Sequence, residues 1–262
     1  MRVKLLLTAM RPGTVLPLNY HHAVAQAIYR KLGSASIDFA TQLHDVGYRT
    51  NGQVFKLFTF SRLQTAKARQ HGDKLLLEHP EIVLQISSPV AAFIEHLIGG
   101  ISMARIWDFA GGKFQFVRAE LVPPPIFQER TRFHALSPIT EWIRGDREHP
   151  TFLSLTDDWS EIMRTNLVRK YKALYDREPE GQELIWRWDR DYIDRAEQRG
   201  KRLSVLREIH GINIRGWLAP FMVEGSKELI ELGYEAGFGA RNSMGFGMAE
   251  VDTFVRCGPN EL

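Results

Sequence analysis

The chain has very little cysteine and no long hydrophobic run. Cys257 is the one cysteine among 262 residues, so an internal disulfide and a cysteine-cluster metal site are both excluded. A membrane-spanning helix needs about 18 consecutive apolar residues, and no segment approaches that length. The first residues, Met1 to Met10, are too short and too charged for a signal peptide and are typical of a first strand. These absences favour a protein of the reducing cytoplasm.

Common signatures of metal and hydrolytic enzymes are also missing. The nine histidines include no His-Glu-x-x-His motif, which zinc hydrolases use to bring two ligands onto one helix face. No Gly-x-Ser-x-Gly nucleophile elbow occurs either. We therefore expect no metal site and no cofactor, and the histidines become candidates for proton transfer rather than ligation.

The remaining composition is that of an ordinary soluble protein. Apolar residues make up 44% and charged residues 25% of the chain, and the length suits one large domain or two small ones. The formal charge of +3 is compatible with an acidic partner such as nucleic acid but decides nothing alone. Basic side chains are concentrated in one region: Arg187, Arg190, Arg195, Arg199, Lys201, Arg202, Arg207 and Arg215. Acidic residues interleave them, so a solvated, salt-bridged face and a nucleic-acid surface both remain open.

The first half of the chain predicts alternating strands and helices. We predict strands at 2–10, 55–63, 74–86 and 113–122 and helices at 19–32, 38–44 and 88–98, with Gly33 and Gly99-Gly100 ending two of the helices. Apart from the short extra helix in the first crossover, the order is β-α-β-β-α-β, which is the ferredoxin-like arrangement. Pro123 to Pro125 interrupt the chain after it. We predict an α+β protein with a first domain over residues 1–125.

The second half fits the same arrangement more loosely. Strands are predicted at 131–139, 151–155 and within 203–223, and a last strand at 246–255. Helices are predicted from residue 156 or 157 to Tyr175 and after Gly225-Ser226, while 182–197 suits either a helix or strands. We predict a second ferredoxin-like domain over residues 126–262, with no sequence repeat between the two halves.

A glycine-rich stretch lies between the last helix and the last strand. It contains two Gly-Phe-Gly units, Gly237 to Gly239 and Gly245 to Gly247, around Ala-Arg-Asn-Ser-Met. Such a loop can present backbone N–H groups to phosphate, but the spacing fits neither a dinucleotide fingerprint nor a P-loop. It partly matches the aromatic strand motif of RNA-recognition modules. A structural turn between helix and strand is an equally good interpretation.

Several separated motifs resemble the CRISPR-associated endoribonuclease family that cuts repeat RNA into guide RNAs. The matching pieces are Tyr20-His-His22, Ala27-Ile-Tyr29, Leu43-His-Asp45, Lys56 to Ser61, Leu136-Ser-Pro-Ile139 and the glycine-rich stretch from Gly233 to Met248. The last of these is the most specific, because it combines the glycine pairs with a C-terminal position. The resemblance implies two tandem ferredoxin-like, RNA-recognition-like domains and metal-independent cleavage at the base of a repeat hairpin. It implies a 2′,3′-cyclic phosphate and a 5′-OH as products.

The same resemblance assigns roles to individual residues. His44 matches the catalytic histidine, as general base on the 2′-OH or as acid on the leaving 5′-oxygen, because imidazole exchanges protons near neutral pH. Tyr29 would orient the nucleophile or transfer the other proton, and Lys56 would neutralise charge on the phosphorane. His22 is a reserve candidate. The glycine-rich loop would bind RNA through Gly237, Gly239, Arg241, Asn242, Ser243, Gly245 and Gly247.

Two other functions remain open beside RNA cleavage. One is a non-catalytic subunit that binds repeat RNA within a CRISPR effector complex. The other is a phosphate- or nucleotide-binding enzyme of unrelated chemistry. Precursor guide RNA is the expected partner, and other effector subunits and a homodimer are further partners that the resemblance allows. No membrane partner is expected.

Overall fold

The computed structural model of the protein describes residues 1–143, 151–209 and 211–252. Cys257 and the end of the predicted last strand lie outside these residues. The α-helices of the described part are α1 His21–Ala35, α2 Ile37–Thr41, α3 Ala91–Met103, α4 Ser160–Tyr175, α5 Arg190–Gln198 and α6 Lys227–Ala236. A π-helical turn, Gln42–Val46, follows α2, and a 3₁₀ turn, Asn242–Met244, follows α6. No helix in these ranges is long and apolar enough to cross a membrane.

The strands fall into two groups along the chain. The first group is β1 Arg2–Ala9, β2 Val15–Pro17, β3 Tyr48–Thr50, β4 Gln53–Phe55, β5 Thr59–Phe60, β6 Ala68–His71, β7 Lys74–Leu77, β8 Glu81–Ser87, β9 Ile106–Phe109 and β10 Gly112–Val122. The second group is β11 Arg130–Ala135, β12 Trp142–Ile143, β13 Thr151–Phe152, β14 Leu184–Trp188, β15 Ser204–Ile209, β16 Ile212–Trp217, β17 Phe221–Gly225 and β18 Ala249–Val251.

The first group builds an antiparallel sheet with the order β5-β8-β1-β10-β9. Without the edge strand β9, this is the strand order of a ferredoxin-like fold, with α1 and α3 as the two crossover helices. The inward side chains of β1, Val3, Leu5 and Leu7, are fully buried in one core with residues of both helices. Small additions surround this unit: the three-stranded sheet β2-β7-β6 and the hairpin β3-β4.

The second group repeats the arrangement with the order β14-β17-β11-β18 and the helices α4 and α6. Its core is aromatic, because Trp159, Trp186, Phe221 and Phe238 pack together with ring centroids 4.0 to 6.1 Å apart. The helix α5 and the hairpin β15-β16 lie between β14 and β17 in the chain. The prediction of two tandem ferredoxin-like units is confirmed.

Two predicted helix ends are wrong. The helices α1 and α3 run past Gly33 and past Gly99-Gly100. A Cβ atom on Gly100 would lie 1.7 Å from the backbone oxygen of Lys31, so this glycine lets α1 and α3 approach closely. Glycine here serves helix packing instead of helix termination.

The predicted strand at 55–63 is also wrong, since Phe55 ends the hairpin strand β4 and only Thr59–Phe60 belongs to the main sheet. Leu57 has φ = 48° and turns the chain, which sends its side chain into the second core while Phe58 enters the first. The predicted strand at 74–86 is two strands, β7 and β8, from different sheets. Aromatic and apolar patterning marked these segments as buried but gave no sign of which core receives each side chain.

Candidate active site and RNA-binding loop

Tyr29 and His44 meet at a cleft on the first unit. Tyr29 lies in the middle of α1 and His44 on the π-helical turn, and their rings make an edge contact with centroids 5.3 Å apart. The cleft is about 290 Å³ in volume and is lined by these two side chains together with Ala40, Thr41 and Asp45. The structure therefore brings together two residues that are 15 positions apart in sequence.

The His44 imidazole is exposed and paired with its neighbour. Its Nδ1 lies 2.7 Å from Oδ1 of Asp45, and the two side chains are 69% and 63% exposed. A carboxylate accepts only from a protonated nitrogen, so Nδ1 carries a proton in this contact, and in the neutral ring Nε2 is then the proton acceptor. No role for Asp45 was predicted from the sequence. Its position beside His44 was visible, but the contact depends on the backbone of the π-helical turn.

Lys56 joins this cluster through the backbone. Its ammonium donates a hydrogen bond to the backbone oxygen of His44. Gly47, with φ = 61°, leaves room for this contact, because a Cβ there would lie 2.8 Å from the Phe55 oxygen and 3.2 Å from Lys56 Nζ. Partial burial lowers the pKa of Lys56, and the nearby Asp45 carboxylate opposes that shift. All three predicted catalytic residues thus belong to one cluster.

Burial keeps the Tyr29 hydroxyl protonated. The side chain packs against Phe58, with ring centroids 5.7 Å apart, and burial raises the pKa of Tyr29 above its usual range. Near neutral pH, Tyr29 can donate a proton or a hydrogen bond but cannot act as a base. The reserve candidate His22 lies in the first turn of α1, roughly 10 Å along the helix axis from Tyr29. It does not line the cleft.

The glycines of the C-terminal loop are buried and shape the backbone. Gly237, Gly239, Gly245 and Gly247 all have positive φ, between 69° and 91°. A Cβ on any of them would lie within 2.2 to 2.6 Å of another atom, including the Phe238 oxygen for Gly247. The amides of Gly237, Gly245 and Gly247 already donate to backbone oxygens within the protein. These three amides are therefore occupied in holding the loop.

The tip of the loop carries the exposed donors. Arg241 is exposed, with its guanidinium carbon 5.4 Å from the centre of the Trp142 ring, and Ser243 is partly exposed. Asn242 is used internally: its Nδ2 donates to the Phe238 and Phe246 oxygens at 3.2 and 3.1 Å. The structure thus separates the predicted loop residues into an outward pair, Arg241 and Ser243, and an inward set.

A short segment connects the loop to the cluster of Tyr29, His44 and Lys56. Lys56 contacts His44, Phe58 contacts Tyr29, and the Thr59 hydroxyl donates to the Phe246 oxygen at 2.8 Å. Phe60 packs under Gly245, where a Cβ would lie 2.6 Å from the Phe60 ring. Residues 56–60 therefore contact both sites, although the loop and His44 are far apart in sequence.

The other charged surfaces differ in what they could bind. A depression of about 650 Å³ beside the start of α6 is lined by Glu129, Glu180, Glu183, Glu224 and Glu228. These five carboxylates outnumber the two basic residues that also line the depression, Arg130 and Lys227, and would repel a phosphate backbone. In the basic region, Arg187 is paired with Glu224 at 3.0 Å, and Lys201 donates to the Tyr192 hydroxyl. Within residues 1–143, 151–209 and 211–252, no group of three or more histidine, cysteine, aspartate or glutamate residues could hold a metal.

Comparison with known proteins gives two matching family descriptions. Residues 15–119 match the N-terminal part, and residues 121–251 the C-terminal part, of CRISPR-associated protein Cas6. The chain is 31% identical over 240 residues to a CRISPR-associated endoribonuclease Cas6 of Methanocaldococcus jannaschii, covering 90% of this chain and 87% of the relative. It is 27% identical to the corresponding endoribonuclease of Pyrococcus furiosus, covering 90% of this chain and 84% of that protein.

A solved structure agrees in fold. The structure of a Cas6-related protein from Pyrococcus furiosus superposes with a TM-score of 0.83 at 23% identity, covering 97% of this chain and 99% of that one. At this identity the likeness concerns the fold, and it extends over both ferredoxin-like units.

Proposed function

The chain belongs to the Cas6 family of CRISPR-associated proteins that process repeat RNA, and on this premise we propose that it is a metal-independent endoribonuclease. Its substrate is CRISPR repeat RNA, which it cuts to mature guide RNAs. The observation that carries the proposal is the convergence of Tyr29, His44 and Lys56, from three separate segments, on one cluster. A cytoplasmic location belongs to the proposal, since the RNA precursor is transcribed there.

The proposed reaction is an internal transesterification. The ribose 2′-oxygen attacks the adjacent phosphorus, the bond from phosphorus to the 5′-oxygen breaks, and a 2′,3′-cyclic phosphate and a 5′-OH result. His44 Nε2 accepts the proton of the 2′-OH, with Asp45 holding the ring through Nδ1. Tyr29, whose hydroxyl burial keeps protonated, gives its proton to the leaving 5′-oxygen, which departs as the 5′-OH. The proton that His44 took from the 2′-OH then returns to the phenolate or to solvent, which restores both side chains. The Lys56 ammonium stabilises the negative charge of the phosphorane.

RNA binding is assigned to the loop from Gly237 to Gly247. Arg241 and Ser243 supply side-chain donors at its tip, while the glycines and Asn242 set its shape. A-form stems offer mostly backbone and shape, so we propose that these contacts are made largely to phosphate and ribose. We also propose a domain boundary near residue 125, in the Pro-rich connection between Val122 and Arg130.

The test is a cleavage assay on a labelled repeat transcript in the presence of a chelator. Wild type should cut once per repeat and leave a cyclic phosphate. His44→Ala should lose about 10²- to 10⁴-fold in single-turnover rate while still binding the transcript, because a general base contributes about that much. His71→Ala, an exposed histidine on β6, is the matched control and should cut like wild type.

Three outcomes contradict the proposal in different ways. Wild type that binds the transcript and leaves it intact is a repeat-RNA-binding subunit instead of an enzyme. Cleavage that stops with the chelator excludes the metal-independent mechanism. A His44→Ala variant that cuts as fast as wild type excludes this assignment of the active site.

A further inference from the structure

A buried lysine sits beneath the glycine-rich loop. Lys170 lies on α4, in the second unit, and is only 2% exposed. Lysine is almost never fully buried unless its charge is compensated. Neither the catalytic cluster nor the exposed tip of the loop accounts for it, so its position requires another explanation.

The ammonium of Lys170 is held by three oxygens of the loop. Its Nζ donates to the backbone oxygens of Gly237 and Gly239 at 2.7 and 2.8 Å and to Oδ1 of Asn242 at 2.8 Å. An ammonium has three protons, and each has an acceptor here. A neutral amine would have one proton too few for these three acceptors. The geometry thus suits the charged form.

A buried carboxylate compensates the charge. Glu141 is only 8% exposed and interacts electrostatically with Lys170. Burial lowers the pKa of Lys170 and raises the pKa of Glu141, while the attraction between the two groups opposes both shifts. A charge compensated in this way can remain in the protein interior, but removing one partner leaves the other uncompensated.

The contacts of Lys170 restrain the part of the loop that has the least common backbone geometry. Gly237 and Gly239 have φ of 91° and 69°, and Asn242 spans the loop from Phe238 to Phe246. Arg241 lies between these anchors with φ = 58°, an uncommon value for a residue with a side chain. The direction in which Arg241 points therefore depends on anchors that Lys170 holds.

We propose that Lys170 is a positioning residue for RNA binding, which sets the shape of the loop from Gly237 to Gly247 without touching the RNA. The inference rests on the proposed function for its substrate. The role proposed for Lys170 concerns RNA affinity and not the chemical step. The catalytic cluster is in the first unit, so loss of Lys170 weakens RNA binding much more than it slows cleavage of bound RNA.

The experiment compares Lys170→Met with Leu167→Ala. Methionine keeps an unbranched side chain in place of the lysine but leaves three loop acceptors without a donor. Leu167 is fully buried on the same helix, so its truncation destabilises the same unit without removing a loop contact. Both are assayed below their unfolding transitions for equilibrium binding of a labelled repeat transcript and for single-turnover cleavage at saturating protein.

Lys170→Met should weaken binding about tenfold or more, with a cleavage rate at saturation within about threefold of wild type. Leu167→Ala should bind like wild type. Hydrogen exchange of residues 237–247 in the free protein should be faster in Lys170→Met but unchanged in Leu167→Ala. Asn242→Ala removes one of the three oxygens that accept from Lys170 and should show the same faster exchange. This variant tests the inference if Lys170→Met does not fold.

The inference is overturned if Lys170→Met or Asn242→Ala leaves loop exchange and RNA affinity unchanged, or if Leu167→Ala weakens binding equally. Wild type that binds the transcript without cutting it would overturn the proposed cleavage and leave the affinity comparison valid. The two failures are thus separate observations.

Discussion

The Thr59 hydroxyl donates a hydrogen bond to the backbone oxygen of Phe246 across 2.8 Å, and this contact joins the two ferredoxin-like units. Thr59 belongs to β5 at the edge of the first sheet, and Phe246 to the glycine-rich loop of the second unit. Both residues are fully buried. The loop proposed to bind RNA is therefore packed directly on the segment that carries Lys56.

Asp45→Asn should slow cleavage without weakening RNA binding. The carboxylate accepts from His44 Nδ1, whereas an amide can also donate there and so favour the tautomer with Nε2 protonated. We expect the single-turnover rate to fall on the order of tenfold, because the His44–Asp45 pair is exposed and orients the imidazole ring only modestly. Asp38→Asn, on the exposed side of α2, should behave like wild type. An unchanged rate for Asp45→Asn would exclude the orienting role.

Gly247→Ala should destabilise the protein much more than Gly72→Ala. Both glycines have positive φ, 84° and 60°, so the backbone strain of alanine is shared, roughly 1–2 kcal/mol. The difference lies in packing: a Cβ on Gly247 would lie 2.2 Å from the Phe238 oxygen, while Gly72 has no atom within 4 Å. Urea unfolding should show an additional loss of about 2 kcal/mol or more for Gly247→Ala. Equal losses would contradict the packing role.

Arg241→Ala should reduce the salt dependence of RNA binding. Each phosphate contact from a basic side chain adds about one counterion to those released on binding. We expect the slope of log affinity against log salt to fall by about 0.7 to 1 if Arg241 contacts phosphate. Binding titrations at several salt concentrations measure this slope. A weaker affinity with an unchanged slope would mean that Arg241 contacts a base or the ribose instead.

His21 should make the protein acid-sensitive. Its ring is fully buried between Tyr20 and Phe246, and burial lowers the pKa of His21 from 6.5 to about 3, helped by the Arg207 and Arg62 charges. Below pH 6.5 the unfolded chain binds a proton that the folded chain does not. The stabilisation is thus complete above pH 6.5 and falls by about 1.4 kcal/mol for each pH unit below it, down to about pH 3.

The test for His21 is urea unfolding of wild type and His21→Leu at pH 7 and pH 5. The variant should lose less stability between these pH values than wild type, by about 2 kcal/mol. His71→Leu, which replaces an exposed histidine, should retain the acid sensitivity of wild type. Equal pH dependence in wild type and His21→Leu would show that His21 does not cause it.

The strand and helix order was largely predictable, because it depends on patterns within short segments. Alternating apolar residues mark β1 and β10, and helical spacing marks α1 and α3. The hairpin β3-β4 and the strands β2 and β6 were missed, since their residues are mostly exposed and carry little pattern. The edge strand β9 was missed although its residues alternate between exposed and buried, because it is only four residues long.

The residues of the candidate site also differ in how far the sequence could predict them. His44, Tyr29 and Lys56 were predicted from a family resemblance, and local patterns did not show that they would meet. Lys170 gave no signal, because a lysine on an amphipathic helix normally faces solvent. The glycines of the loop were recognised as special, but their packing partners are distant in sequence, up to 224 positions for Gly245 and His21.

Leu57 turns the chain between Lys56 and Phe58, and its side chain is buried in the second core. Phe58 packs in the first core, and Lys56 contacts His44 of the first unit. The ammonium of Lys56 is therefore located by how the two units fit together as well as by its own surroundings. Substitutions in the second core around Leu57 are therefore expected to act as remote active-site mutations, altering catalysis from a part of the molecule that holds none of the three side chains proposed to be catalytic.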